Sequence, residues 1–467
     1  MKRILRTATG LLPLCAQRCF RLINKRLALA SLLIFIPFTP AHSQGIDEDK
    51  LDSFFDRLNE KNEAMGSLVS VKDGRTLYSR SIGYSEISET KKTPITANTR
   101  FRVGSVTKMF TAVMILQLVE EGKLKLNDRL DKYLPQIPNA DKITIAQILA
   151  HRSGIHDIMA DPALRPRRRT TQVTKEDMLA MIAKTKSDFE PGTQYAYSNS
   201  GYLILGYLVE ILTAESYEKG VQERITSSIG LNDTYVAMEG INVSKNESFS
   251  YTRLANWRKQ PETHWSMLFG SGSLISTPDD LAIFIQALYG GKLVSQKSLT
   301  RMMVIEDGYG LGIDTFPLAD RTFYGHTGGI DGFGSWLAYL PEEKLTIAYA
   351  TNAKSYPVAN IIGGVADVHF GRPFQIPAFE SITVSTEILD EYVGKYVRQG
   401  APVSFAVSRK AAVLYISVNG GPQFPLEATS EDTFKLENQG MVLEFDKDHK
   451  EMTLRRGNSL RVFKKEN

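Results

Sequence analysis

The apolar positions along the chain first suggest a hairpin. Leu68–Lys72 and Arg75–Tyr78 alternate apolar and polar residues around Asp73 and Gly74, which predicts two strands joined by a tight turn. Before them, Asp47–Asn62 is polar and helix-capable. After them, Ser105–Glu121 is apolar on nearly every side, with Val106, Met109, Phe110, Val113, Met114, Leu116 and Val119 leaving little polar circumference. A helix of that kind lies in the middle of a domain, and Gly122 is placed to end it. Ser200–Thr213 reads as a second apolar helix, and Pro278–Leu288 as a third that opens on proline and two acids. Gly334–Leu340 and Leu345–Ala350, separated by Pro341–Lys344, read as a hairpin of mostly buried strands. Hairpins at both ends with helices between them imply an α+β fold with a mainly antiparallel sheet and a helical region, not a βαβ repeat.

The pattern changes past the Gly371–Pro377 stretch, which reads as a linker. From 380 to 467 short strands (Val403–Val407, Val413–Val418, Thr433–Leu436, Met441–Phe445, Met452–Arg455, Leu460–Phe463) alternate with turns such as Asn419–Gly420. This predicts a small all-β domain, a barrel or sandwich. Residues 44–372 form the larger unit.

Residues 1–43 differ from both. Seven basic side chains precede the apolar run Leu27–Phe38, the segment has no acidic ones, and Ala41–Ser43 supplies a small-residue cleavage pattern. This predicts a secretory signal peptide cut after Ser43, hence a periplasmic or secreted protein with no stable membrane span. Its apolar run, about 12 residues, falls short of the ~20 needed to span a bilayer. Removing the segment takes the formal charge from +4 to −3, so the basic whole-chain balance does not point to nucleic acid. Both cysteines, Cys15 and Cys19, lie inside it. The remainder therefore has no disulfide, thiolate nucleophile or thiolate metal site.

Three stretches carry candidate chemistry. In Gly104–Lys108, Ser105 and Lys108 are three apart on one helical face, so the amine reaches the hydroxyl. Burial and the helix N-terminus both push the lysine towards its neutral, proton-accepting form, which a hydroxyl nucleophile requires. The Ser105 amide, at the helix start, can face a developing oxyanion. In Pro191–Tyr202, Tyr197 and Asn199 alternate and so point the same way. A phenol beside an ammonium has its pKa lowered and becomes a proton shuttle, while the Asn199 amide can fix Lys108 and orient a substrate amide. In Tyr324–Gly329, glycines allow close backbone approach, the Gly329 amide offers a second oxyanion donor, and His326 would present a donor at the pocket wall. Taken singly, these read as a helix cap, a turn with a buried tyrosine, and a turn histidine.

In this order and at these separations, Ser-x-x-Lys, Tyr-x-Asn and His-Thr-Gly resemble the family of class C β-lactamases, DD-peptidases and related serine esterases. The resemblance extends to Phe101–Ser105, Ile148–Gly154 and Gly272–Asp279, and spans 47–370. It implies the transpeptidase-like fold, with an antiparallel sheet flanked by helices and an all-helical lobe. It also implies acylation of Ser105, proton movement by Lys108 and Tyr197, and positioning by Asn199. Substrate would bind along His326, Thr327 and Gly328, with the Ser105 and Gly329 amides as oxyanion hole. No cofactor or metal is implied. The expected substrate is a peptide or small molecule, peptidoglycan-derived peptides among them.

Two departures shape the expected activity. His326 stands where class C β-lactamases have lysine, and Gly329 where a hydroxyl often holds a substrate carboxylate. Both weaken anion recognition, favouring a D-alanyl-D-alanine carboxypeptidase or other D-peptidase, or a carboxylesterase, over an efficient β-lactamase. A non-catalytic binding protein ranks last, because all three motifs are intact. Arg165–Arg169 is a basic loop expected to be solvated.

Overall fold

A computed structural model describes residues 46–466, except 162–163, 165–171, 254–255, 354, 380, 399, 401–402, 437–440 and 457–458. Residues 1–43, expected to be a signal peptide, with both cysteines, and the Arg165–Arg169 stretch lie outside the described residues.

Helix α1 (Glu48–Glu60), capped by the Asp47 carboxylate on the Lys50 amide, leads into the hairpin of β1 (Met65–Lys72) and β2 (Arg75–Ile82). A 3-10 turn, Gly104–Val106, then feeds α2 (Thr107–Glu120). Next come α3 (Asn199–Thr213), the short hairpin of β3 (Tyr251–Arg253) and β4 (Trp257–Lys259), and α4 (Pro278–Tyr289). The meander β5 (Asp314–Leu318), β6 (Arg321–Ile330), β7 (Phe333–Leu340) and β8 (Leu345–Ala353) precedes α5 (Val358–His369).

The main sheet runs β5-β6-β7-β8-β1-β2, antiparallel throughout, with β3 added in parallel to β8 and β4 beside it. Its period-2 alternation feeds two cores. Val69, Val71, Leu337, Tyr339 and Ala348 face α2, α3 and α4. Leu68, Ala338, Leu340, Ile347 and Tyr349 face α1 and α5. Burial on both faces explains why these strands read as near-continuous apolar runs. Helix α2 is buried nearly all round, as its sequence requires, and Phe110 stacks on Phe284 of α4 with ring centroids 3.8 Å apart.

Beyond residue 380, among the described residues, a seven-residue helix, Thr386–Tyr392, precedes a second sheet of nine antiparallel strands. Its order starts at Phe424–Pro425, passes through Val413–Val418, Ser404–Lys410 and Gly394–Val397 to the last strand, Ser459–Lys465, and returns through Glu451–Arg456, Met441–Asp446 and Thr433–Leu436 to Glu427–Ala428. The two end strands are separated by Leu426 alone, so the chain itself curls the sheet into a barrel-like form around Phe405, Leu414, Phe434, Leu443 and Phe445. Arg253 of β3 faces Glu427 across the two sheets, 4.0 Å away. Among the described residues, no helix is long and apolar enough to cross a membrane.

Candidate active site

The turn Gly104–Val106 places Ser105 directly below the main sheet. The turn's own bonds run from the Val106 amide to Val103 and from the Thr107 amide to Gly104, so neither consumes the Ser105 amide. Strand β6 pairs with β5 only as far as Gly325, which leaves His326–Ile330 unpaired by β5 on that edge. This free stretch lies against the turn. A Cβ on Gly104, whose φ is +50°, would stand 2.8 Å from the Gly329 nitrogen. Glycine at 104 permits the Gly329 main chain to come so close to the turn that carries the serine.

Lys108 lies one turn into the helix and is fully buried. Its Nζ lies 3.0 Å from Ser105 Oγ, 2.8 Å from Asn199 Oδ1 and 2.8 Å from the Ser271 carbonyl. Burial lowers its pKa to about 7, with Asp157 pulling the other way. The two carbonyl oxygens can only accept. In the neutral amine they take both N–H groups, which leaves the lone pair directed at the one partner able to donate, the Ser105 hydroxyl. In this geometry a neutral Lys108 can accept a proton from Ser105.

Asn199 is the first residue of α3, just past its N-cap Ser198, whose hydroxyl accepts from the Gly201 amide at 3.3 Å. The Asn199 amide nitrogen donates to Asp157 Oδ2 at 3.0 Å. Asp157 and Ser271 complete the lysine's surroundings and were not singled out in the sequence. Asp157 follows the Ile148–Gly154 motif by three residues, and Ser271 immediately precedes Gly272–Asp279, so adjacency to those stretches was the available signal.

Tyr197 puts its ring face 4.8 Å from Lys108 Nζ. Although the residue is partly exposed, burial raises the phenol well above the usual tyrosine range while a hydrogen bond with Ser105 lowers it. The sequence-based expectation of a lowered phenol is therefore reversed. It assumed a full ammonium next door, whereas Lys108 loses its charge near neutrality and desolvation dominates.

His326 also departs from expectation. It is 2% exposed and turns its ring to protein partners. Its Nδ1 lies 2.5 Å from the Thr327 carbonyl, which can only accept, so Nδ1 carries the proton. Nε2 then accepts from the Tyr309 hydroxyl at 2.9 Å. Burial, with Lys108 next, lowers its pKa to about 3, so the ring is neutral. Both nitrogens are occupied internally, because the side chain alternates away from the free strand edge into the aromatic packing of Tyr197 and Tyr309. Gly328 likewise serves the fold before any ligand. A Cβ there would sit 1.9 Å from the Val103 carbonyl and 2.3 Å from Ser335 Oγ. Thr327 is half-buried between them.

His151, of the Ile148–Gly154 motif, lies beneath Tyr197 with ring centroids 4.2 Å apart. Its Nδ1 accepts from the Ser198 amide at 3.1 Å and so helps hold the segment carrying Tyr197 and Asn199. The three sequence stretches thus converge on one point. Among the described residues, no group of three or more His, Cys, Asp or Glu side chains is arranged to hold a metal ion.

Comparison with known proteins gives a consistent setting. The family model described as Beta-lactamase matches residues 51–366. Penicillin-binding protein 4* of Bacillus subtilis is 27% identical over 425 residues, covering 85% of this chain and 93% of that protein. The octameric penicillin-binding protein homologue from Pyrococcus abyssi superposes with a TM-score of 0.63 at 26% identity, covering 89% of this chain and 99% of that one. A D-stereospecific amidohydrolase from Streptomyces gives a TM-score of 0.58 at 27% identity, over 68% of this chain and 98% of its own.

Proposed function

Because the chain belongs to the β-lactamase family of serine hydrolases, we propose that it is an exported hydrolase that opens amide or ester bonds through an acyl-enzyme on Ser105, in the manner of a D-alanyl-D-alanine carboxypeptidase or related D-peptidase. The observation that carries this reading is the saturation of both Lys108 N–H donors by Asn199 and Ser271, with Ser105 Oγ 3.0 Å away as the remaining partner.

In this mechanism Ser105 Oγ attacks the substrate carbonyl carbon as its proton passes to Lys108 Nζ. The carbonyl oxygen becomes an oxyanion between the Ser105 and Gly329 amides. Tyr197, a neutral phenol at physiological pH, donates its proton to the leaving nitrogen or oxygen and is reprotonated by the Lys108 ammonium. Water then attacks the ester carbon, its proton goes to the Tyr197–Lys108 pair, and Ser105 leaves as a restored hydroxyl. Asn199 fixes Lys108 and orients the substrate amide, with Thr327 on the adjoining strand edge. The leader through residue 43 directs export, residues 44–372 form the catalytic domain, and 380–467 form an appended β domain.

A second reading has its own support. Neutral His326, with both ring nitrogens held by Tyr309 and Thr327, offers no charge to a substrate carboxylate. That favours substrates uncharged beside the scissile bond, such as D-amino acid amides or short acyl esters.

Labelling with fluorescent penicillin, with Ser105→Ala as control, tests the acyl-enzyme. Side-by-side turnover of D-Ala-D-Ala peptides, D-amino acid amides and p-nitrophenyl acetate separates the two readings. Absence of both labelling and turnover would refute the enzyme mechanism.

A further inference from the structure

We infer that Asp157 is a positioning residue that sets the direction of the hydrogen-bond chain ending at Ser105, an inference that rests on the acyl-enzyme reading above. The Asn199 amide can be turned two ways, and the turn decides the chemistry. With Oδ1 towards Lys108 it accepts an N–H and leaves the lysine lone pair for Ser105. With Nδ2 towards Lys108 it would compete for that lone pair and silence the base. A carboxylate only accepts. Asp157 Oδ2, 3.0 Å from Asn199 Nδ2, therefore holds the amide nitrogen on its own side and commits Oδ1 to the lysine, 2.8 Å away. Each group then donates towards Asp157: Ser105 to Lys108, Lys108 to Asn199, Asn199 to the carboxylate.

The aspartate is itself fixed. Its Oδ1 caps the 3-10 turn Ile158–Ala160 by accepting from the Met159 amide at 3.1 Å, and the Ile158 amide donates to Ser200 Oγ at 3.1 Å, tying that turn to α3. The carboxylate and the asparagine are thus held on two elements joined to each other.

Asp157 also acts on Lys108 through charge, favouring its protonated form. The other charged or titratable groups around the amine are the Tyr197 and Tyr202 rings, at 4.8 and 5.6 Å, and His151 and His326, both held neutral by burial. Among the described residues, Asp157 is the one group of these that stabilises the ammonium by its charge. Its removal has two effects of opposite appearance. The plateau rate falls because the amide loses its fixed orientation, while the acid limb moves to lower pH because the ammonium loses its counter-charge.

The test is Asp157→Asn, which keeps size and can still cap Met159 but presents a donor as well as an acceptor to Asn199. On the full chain, kcat/KM for p-nitrophenyl acetate is followed from pH 5 to pH 9, with the rate of Ser105 labelling by fluorescent penicillin alongside. The expected result is a plateau lower by about 10- to 100-fold, the range of a lost charge-assisted hydrogen bond, together with an acid limb displaced to lower pH. If Asp157→Asn fails to fold, Asp157→Ser replaces it, since it retains a capping oxygen but is too short to reach Asn199. A cycle with Asn199→Ala completes the test: once Asn199 is gone, the second substitution should cost the plateau nothing further. A wild-type plateau and limb in a folded variant, or strict additivity with Asn199→Ala, overturns the role of Asp157 while Ser105-dependent labelling leaves the acyl-enzyme standing. Absence of Ser105 labelling and turnover in the unsubstituted protein removes both.

Discussion

Gly328→Ala probes the seam on which the proposed oxyanion site depends without altering any group assigned a proton transfer in the proposed mechanism. The new methyl carbon would meet the Val103 carbonyl oxygen at 1.9 Å, and real contacts of this kind essentially never fall below 3.0 Å. Strand β6 and the turn before Ser105 must part by about 1.1 Å or more, and neither obstacle is a flexible side-chain end: one is backbone, and the Ser335 hydroxyl is itself committed to Val103 at 2.7 Å. The Gly329 amide sits one residue along and moves with the strand. A donor displaced by an ångström no longer meets the oxyanion at hydrogen-bonding distance, and losing one such donor costs on the order of 10²–10³ in kcat, about 3–4 kcal/mol. The assay is steady-state kcat and KM on p-nitrophenyl acetate at pH 8, with melting temperature to confirm folding. The expected outcome is a folded variant with kcat reduced about 100-fold or more and the pH dependence unchanged, because Lys108 keeps all its partners. A folded Gly328→Ala protein retaining kcat within about threefold of the parent would refute this placement of the Gly329 donor.

Three further outcomes follow. kcat/KM should rise with pH through about 7, because Lys108, lowered to about 7 by burial, accepts a proton only when neutral; a flat profile from pH 5 to pH 9 would exclude it as the base. Lys108→Met should abolish turnover yet gain in melting temperature relative to the parent as pH falls from 10 to 6. The folded-state pKa lies below the unfolded 10.5, so the parent's burial penalty is fully present below about 7 and vanishes above 10.5; a difference constant across pH would contradict the buried-lysine account. His326, lowered to about 3, should show ¹⁵N shifts of a neutral ring protonated on Nδ1 and no titration from pH 5 to pH 9; a transition near 6.5 would overturn it.

Much of the fold could be read in advance because its elements are local and strongly patterned. The continuous apolar circumference of Thr107–Glu120, the alternation in Leu68–Tyr78 and the near-continuous apolar runs of Gly334–Ala350 needed no long-range information. The helix Thr386–Tyr392 and strand Gly394–Val397 escaped notice because they are short and carry mixed polarity. At the site, residue types in the three stretches pointed to Ser105, Lys108, Tyr197 and Asn199, side chains that the fold brings together. Asp157, Ser271 and Tyr309 were silent because their contributions are a carboxylate placed by a turn, a main-chain carbonyl, and a hydroxyl reached only through tertiary packing. The direction of the Tyr197 shift and the inward turn of His326 depend on burial, which a linear pattern does not reveal for a single side chain.

Met65–Lys72 finds its outer neighbour, Leu345–Ala353, about 280 residues downstream. The first hairpin to emerge during synthesis therefore waits, with one edge bare, until almost the whole catalytic region exists. Loop closure over that span has to precede any reward from the pairing. Completion of the main sheet should accordingly be the slow event of maturation, and pulse-labelled hydrogen exchange should find the amides of Met65–Lys72 among the last to gain protection.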